Sequence, residues 1–293
     1  MKFGVMFANV GPMAYAEGAV ALAQAAEEAG FESLWTVEHT VVPAGYESSY
    51  PYSKAGRMPG PEDSDIPDPL VWLTYVGAHT SRIRLGTGIL ILPQRNPVIL
   101  AKEVATLDRL TGGRVELGIG VGWLAEEFEA IGVPFEDRGK RADDHIEALR
   151  ALWTQDRPTH DGPYVSFRDA ISRPQPTQGS VPITVGGHSK AAARRAGRLG
   201  DGFFPGRGSH EELAELIGIV RSTAAEHGRD PEAVEITFGL RKREAPEALD
   251  EVKALSELGV SRVVIPPLAF DPEGQRSAFG RFGDEVIAPS AQL

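Results

Sequence analysis

Residues Arg82–Trp123 read RIRLGTGILILPQRNPVILAKEVATLDRLTGGRVELGIGVGW, and this stretch decides the fold. RIRLGTGILIL has the β-branched and leucine content of a buried strand, interrupted at Gly86 and Gly88. Asn96-Pro97 then opens a helix, since proline at the first helical position lacks only an N–H that would have no partner there. Gly112-Gly113 turns the chain into RVELGIG, a second buried run bounded by Gly120 and Gly122. Strand, helix and strand in this order predict a parallel pair with a right-handed connection. Gly88, Gly120 and Gly122 all fall where strands end, the rim at which parallel α/β folds bind ligands.

The same alternation extends in both directions. Upstream, Lys2–Ala8 reads as a strand, Ala16–Ala29 as an alanine-rich helix stopped by Gly30, and Ser33–Val37 as a strand that delivers Glu38 and His39 to its C-terminal end. The segment 41–69 is rich in Pro, Gly, Tyr and Ser and too long for an ordinary connection, which predicts a lid or substrate-binding insertion. Asp68-Pro69 opens a helix through Ala78. Ile83–Leu90, Val98–Leu110 and Val115–Ile119 follow as strand, helix and strand.

Downstream, Leu124–Ile131 and Asp143–Trp153 read as helices and Arg157–Ile171 as a hairpin or extended excursion. Pro182–Val185, Gly202–Phe204, Val234–Leu240 and Val263–Ile265 read as strands. Helices over Lys190–Ala196, from Ser209 to His227 and over Ala245–Leu258 separate them, with one more around Phe279–Val286. Eight strand candidates fit an α/β fold of the closed (β/α)₈ type, a TIM barrel, better than an open doubly wound sheet. No linker divides residues 1–293, so one domain is expected.

Composition narrows the function. A hydrophobic content of 42% and a charged content of 24% are those of an ordinary globular protein. The net charge of -11 argues against a general nucleic-acid or anionic-membrane surface, though local N–H groups can still hold an anion. With no cysteine there is no disulfide, thiol nucleophile or thiolate metal site, which fits a cytoplasmic setting. No apolar run approaches membrane-spanning length, and the N-terminus enters a strand rather than a signal peptide.

His39, at the end of the second strand, is the candidate for proton transfer, because an imidazole titrates near neutrality; tying down the following loop is an equally good account of it. The other histidines and the carboxylates show no metal-ligand spacing. Glu126 and Glu127 read as helix-start charges. Gly186-Gly187-His188-Ser189 precedes a helix start, where small residues, a hydroxyl and free N–H groups suit a phosphate; Gly-Gly-x-Ser is also an ordinary turn and cap. Gly206-Arg207-Gly208 follows the next strand on the same rim. Gly120 to Gly122 would let a flat ring pass close to the backbone, or simply make a tight turn. Trp35, Tyr46, Tyr50, Tyr52 and Trp123 are candidates to line a substrate pocket for a moderately apolar molecule.

KFGVMFANVGP, AAEEAGFESLWTVEH, the 82–123 stretch, ITVGG and GRLGDGFFP together resemble the luciferase-like monooxygenase superfamily, in particular its branch of coenzyme F420-dependent oxidoreductases. The resemblance spans nearly the whole chain. It implies a TIM barrel with an inserted segment near the active site, and a homodimer. It also implies His39, with Glu38 before it, beside the redox-active ring, and a non-proline cis peptide at Gly88-Ile89 supporting the ring face. The turn Gly120 to Gly122 would border ring or tail. Gly186, Gly187 and Ser189 would hold the phosphate, with Gly206 and Gly208 nearby. The sugar-phosphate dehydrogenase of this branch carries an acidic glutamate where this chain has Trp123, which makes glucose 6-phosphate a poor substrate.

The leading expectation is therefore hydride transfer between F420 and a small organic alcohol, carbonyl or activated alkene. An FMN-dependent monooxygenase fed by a separate flavin reductase is the nearest alternative. A non-catalytic flavin- or deazaflavin-binding protein is the alternative from another class.

Overall fold

The protein is described here by a computed structural model covering residues 1–291. In chain order its strands are β1 (Lys2–Met6), β2 (Ser33–Thr36), β3 (Arg84–Thr87), β4 (Leu90–Ile91), β5 (Val115–Gly120), β6 (His160–Asp161), β7 (Ser166–Phe167), β8 (Ile183–Gly186), β9 (Gly202–Phe204), β10 (Glu235–Gly239) and β11 (Arg262–Ile265). β6 and β7 form the expected hairpin on their own. The remaining strands make one sheet in the order β3-β2-β1-β11-β10-β9-β8-β5-β4, and a β3–β5 pairing closes it. β3 and β4 are halves of one expected strand, parted at Gly88-Ile89, whose peptide bond is cis as the resemblance implied. Counting them together gives the closed barrel of eight parallel strands, the (β/α)₈ fold.

The helices are α1 (Ala16–Glu28), α2 (Pro69–Gly77), α3 (Pro97–Leu110), α4 (Ala125–Ala130), α5 (Arg138–Thr154), α6 (Lys190–Leu199), α7 (His210–Glu226), α8 (Glu247–Glu257) and α9 (Pro272–Phe282). A π-helical turn at Gly283–Ile287 leads into α10 (Ala288–Ser290). Their starts follow local chemistry. Asp68 accepts from the N–H groups of Leu70 and Val71, Asn96 from those of Val98 and Ile99, and Ser209 with Glu212 forms a reciprocal capping box. α5 begins five residues before the expected Asp143, and α9 begins at Pro272, capped by Asp271, rather than near Phe279. Charged and glycine-rich first turns hid both starts from a pattern based on apolar spacing. No helix among the described residues is long and apolar enough to cross a membrane.

The barrel interior is organised by Trp35, which has no exposed surface. Its ring meets Phe204 edge-on at 5.8 Å, and its Nε1–H donates to Ser33 Oγ at 2.9 Å. Glycines on the flanking strands make room for it: a Cβ on Gly86 would lie 2.7 Å from Trp35 Cε3, and one on Gly4 would lie 2.9 Å from Nε1. This explains why the LGTG run carries Gly86 within a strand. It also corrects the expectation for Trp35. That side chain points down into the barrel and fills it, so it cannot line a substrate pocket.

Candidate functional site

The C-terminal ends of the strands form the mouth, and His39 stands there, three residues past β2. Its Nδ1 lies 3.1 Å from Oε2 of Glu127, whose side chain is fully buried. The other carboxylate oxygen of Glu127 accepts from the backbone N–H groups of Thr40 at 2.6 Å and Val41 at 3.3 Å. Nε2 of His39 makes no hydrogen bond among the described residues and is the ring nitrogen left for a ligand. In the sequence Glu127 reads as a helix-start charge. Nothing in AEEFEA marks it as His39's partner, because the two are 88 residues apart and meet only when the barrel closes.

Glu38 is not free for a cofactor. It is buried, and its carboxylate accepts from Ile91 N–H and from Arg95, whose Nε lies 2.9 Å away. Burial pushes the Glu38 carboxyl above the ordinary range, against the opposing pull of Arg95 and the Ile91 N–H. Arg95 also donates to Asp68 at 2.6 Å, so one guanidinium ties residue 38 to residue 68 across the long segment. Buried Asn9 makes a second tie, exchanging both hydrogen bonds with Val37 and donating to Pro67 O. The segment between β2 and α2 contains no helix or strand, and its roots are drawn together by these two clamps.

Farther out, Glu126 accepts from the N–H groups of Glu47 at 2.6 Å and Ser48 at 2.9 Å. The Ser48 hydroxyl and these N–H groups hold the Glu126 carboxyl down to about 2. Tyr46 is buried within the segment, its hydroxyl accepting from Met58 N–H at 3.0 Å.

Four of the five expected aromatic residues come together. Trp123 is met edge-on by His39 at 5.7 Å, by Tyr46 at 5.4 Å and by Tyr50 at 5.1 Å. Tyr50 continues to Tyr52 at 5.3 Å, and Tyr52 to His188 at 5.1 Å. The result is a continuous aromatic wall from His39 to the glycine loop after β8. Burial, with Tyr52 and Tyr46 close by, pushes the Tyr50 phenol up to about 12, so it stays neutral and able to donate. Phe7, just past β1 at the same end, was not anticipated; it holds φ at 57° with its ring partly exposed.

At the far end of the wall, Gly187 has φ of 116° and Ser189 caps α6, its Oγ accepting from Ala192 N–H at 3.1 Å. The hydroxyl proton and the first N–H groups of α6 remain free to donate. His188 Nδ1 is buried without a partner among the described residues. Burial pushes this imidazole down, and the positive charge of Arg207 lowers it further. An orphaned ring nitrogen and a helix start in the loop after β8, with the cation Arg207 in the loop after β9, fit an anionic group such as a cofactor phosphate. Gly206 and Gly208 lie beside it, and the Tyr52 ring rests where a Cβ on Gly206 would be.

The remaining glycines serve the protein itself. A Cβ on Gly120 would lie 2.6 Å from Ile89 Cδ1, and one on Gly186 would lie 2.4 Å from Ile89 Cγ2. Their bareness admits the Ile89 side chain across the mouth, next to the cis peptide after Gly88. Gly122, at φ 79°, makes room for Phe128 and Ile91. Ile89 therefore lies against both Gly120 and Gly186 at the mouth. Among the described residues, no group of three or more His, Cys, Asp or Glu is placed to hold a metal ion.

Residues 1–264 match the luciferase-like monooxygenase family. The chain belongs to this family. Among its relatives, an F420-dependent glucose-6-phosphate dehydrogenase of Segniliparus rotundus is 32% identical over 274 residues, 90% of this chain and 76% of that protein. Two solved structures share the fold. One is an F420-dependent secondary alcohol dehydrogenase in complex with an F420-acetone adduct, with a TM-score of 0.79, 19% identity and 98% of each chain covered. The other is a monooxygenase from Streptomyces bottropensis, with a TM-score of 0.76, 23% identity and 99% of each chain covered.

Proposed function

We propose that this luciferase-like protein is an F420-dependent oxidoreductase, acting on a small organic alcohol, carbonyl or activated alkene. The observation that carries the reading is the division of the mouth: an anion-binding loop with an orphaned His188 at one end, a carboxylate-held His39 at the other, and an aromatic wall between them. The F420-dependent relative, alike over 90% of the chain, favours the deazaflavin over FMN. When bound, F420 supplies a ring carbon that gives or takes a hydride; the protein supplies orientation and polarity. Ser189, the first N–H groups of α6 and His188 hold the phosphate. Ile89 backs the ring. His39 takes or returns the proton at the substrate oxygen, while Trp123, Tyr46 and Tyr50 keep water from the reacting end. Trp123, standing where a sugar-phosphate enzyme has a glutamate, favours a neutral substrate of moderate polarity.

The FMN-dependent monooxygenase reading is supported by the family description and by the Streptomyces neighbour. Anaerobic titration separates the two. The protein is expected to bind F420 in preference to FMN, and His39→Ala to keep that affinity while single-turnover hydride transfer slows about 10²–10⁴-fold. Binding of FMN alone would hand the assignment to the monooxygenase. A His39→Ala rate equal to the parent's at every pH would make the histidine structural.

A further inference from the structure

We infer that Glu127 is the positioning residue that fixes the tautomer of His39, so that Nε2 is the proton acceptor offered to the substrate; this deepens the oxidoreductase reading above. One buried carboxylate, that of Glu127, is surrounded by donors. Oε1 of Glu127 is taken by two backbone N–H groups, Thr40 and Val41, which can only donate. Oε2 faces His39 Nδ1 at 3.1 Å. A carboxylate with no exposed surface accepts and does not donate, so neutral His39 must carry its proton on Nδ1. Nε2 is then bare, with its lone pair directed away from Glu127.

In alcohol oxidation the substrate O–H bond breaks, its bonding pair stays on oxygen, and the proton forms an N–H bond at Nε2. The histidine becomes an imidazolium paired with an adjacent anion, and the reverse transfer serves carbonyl reduction. Glu127 has no exposed surface through which to touch substrate or cofactor. It acts through the ring it holds and through Thr40, the residue after that ring.

The geometry makes one substitution informative. In Glu127→Gln the amide oxygen is required by the N–H groups of Thr40 and Val41, since an NH₂ placed there would face two donors. The NH₂ is therefore turned toward His39 Nδ1, which must become the acceptor. The substitution should move the proton to Nε2 and remove the base, while the tether to residues 40 and 41 survives. Glu127→Asp preserves the charge and is expected to keep the parent tautomer.

Ring ¹⁵N spectra of histidine-labelled protein, recorded without ligand well above the ordinary imidazole range, read this directly. A His39→Asn variant identifies the His39 signals among the seven histidines. The parent and Glu127→Asp are expected to show Nδ1 protonated and Nε2 bare, and Glu127→Gln the reverse, with thermal unfolding confirming that each variant folds. In single turnover Glu127→Gln should lose about 10²–10⁴-fold with cofactor affinity unchanged. A parent His39 protonated on Nε2, a Glu127→Gln spectrum like the parent's, or a flipped tautomer with an unchanged rate would each overturn the inference. If the parent binds no F420, the cofactor reading falls, and the ligand-free spectra decide this one alone.

Discussion

The two ends of the barrel both bury carboxylates and neutralise them by different means. At the N-terminal end, Arg262 is buried among Glu116, which it grips with both Nη atoms at 3.0 Å, Glu32 at 3.0 Å and Glu235 at 3.3 Å. Glu116 also has Arg84 Nε at 3.6 Å, Glu235 is paired with Lys2, and the Trp35 ring covers the guanidinium at 5.0 Å. Glu116 and Glu235 come from strands, and Glu32 stands immediately before β2. Burial opposes the Arg262 charge, but Glu116 and Glu32 more than offset it and push its proton affinity up. At the mouth, Glu127 and Oε1 of Glu126 accept chiefly from backbone N–H groups of the segment after β2 and from His39. Charge held by strands makes a rigid floor. Charge held by a loop makes a site whose electrostatics depend on where the loop lies.

The largest expected effect lies at the floor. Arg262→Met leaves three buried or half-buried carboxylates facing one another with only Lys2 and Arg84 to compensate. Removing one partner of a buried pair typically costs about 3–5 kcal/mol. Urea unfolding should show that loss as a lower midpoint with unchanged slope, together with normal cofactor affinity per folded molecule. A loss below about 1 kcal/mol would mean that the floor is held by Trp35 and its neighbours, and the contrast between the two ends would weaken.

A mouth substitution should do the opposite. Ser189→Gly removes a hydroxyl donor from the phosphate loop while costing only a few tenths of a kcal/mol as a helix cap. A hydrogen bond to a charged group is worth about 1.5–3 kcal/mol, so F420 affinity should fall by roughly one to two decades with stability nearly unchanged. Unchanged affinity in anaerobic titration would place the phosphate elsewhere.

This contrast also sorts what was legible in the sequence. The strands could be read because β-branched runs, Asn96-Pro97 and the Gly112-Gly113 turn are local signals, and the rim glycines marked where strands end. His39 could be placed because it closely follows a strand. Its partner could not, since Glu127 differs from Glu126 only in which way the barrel turns it. Trp35 and Glu38 were misassigned for a related reason. Glu38 alternates with His39 and so turns to the other side, whereas Trp35 shares His39's side but lies a layer lower, over Arg262, where it fills the barrel instead of reaching the mouth. The floor network was invisible because its members come from separate strands and meet only through closure.

The smallest expected effect concerns the outermost tie of the mouth. Glu126 is held at about 2 in the folded protein, down from 4.5, by Ser48 and the Glu47 N–H. A depressed folded value means the contribution is fully present above the ordinary carboxylate range and is lost as pH falls through about 2. Between about pH 4.5 and 2, the N–H signals of Glu47 and Ser48 should move together in ¹H–¹⁵N spectra as the carboxylate takes its proton. Glu126→Gln, which still accepts but does not titrate, should hold them fixed. The floor supplies the internal comparison, because Glu32 is also held below its ordinary range, where Arg262 overrides the opposing effect of burial. If the Glu47 and Ser48 signals shift only when the whole protein unfolds, Glu126 is not an independent latch. The segment would then be held by Tyr46 packed under Arg57, whose guanidinium lies 4.6 Å from the ring, and the mouth would be as firmly built as the floor.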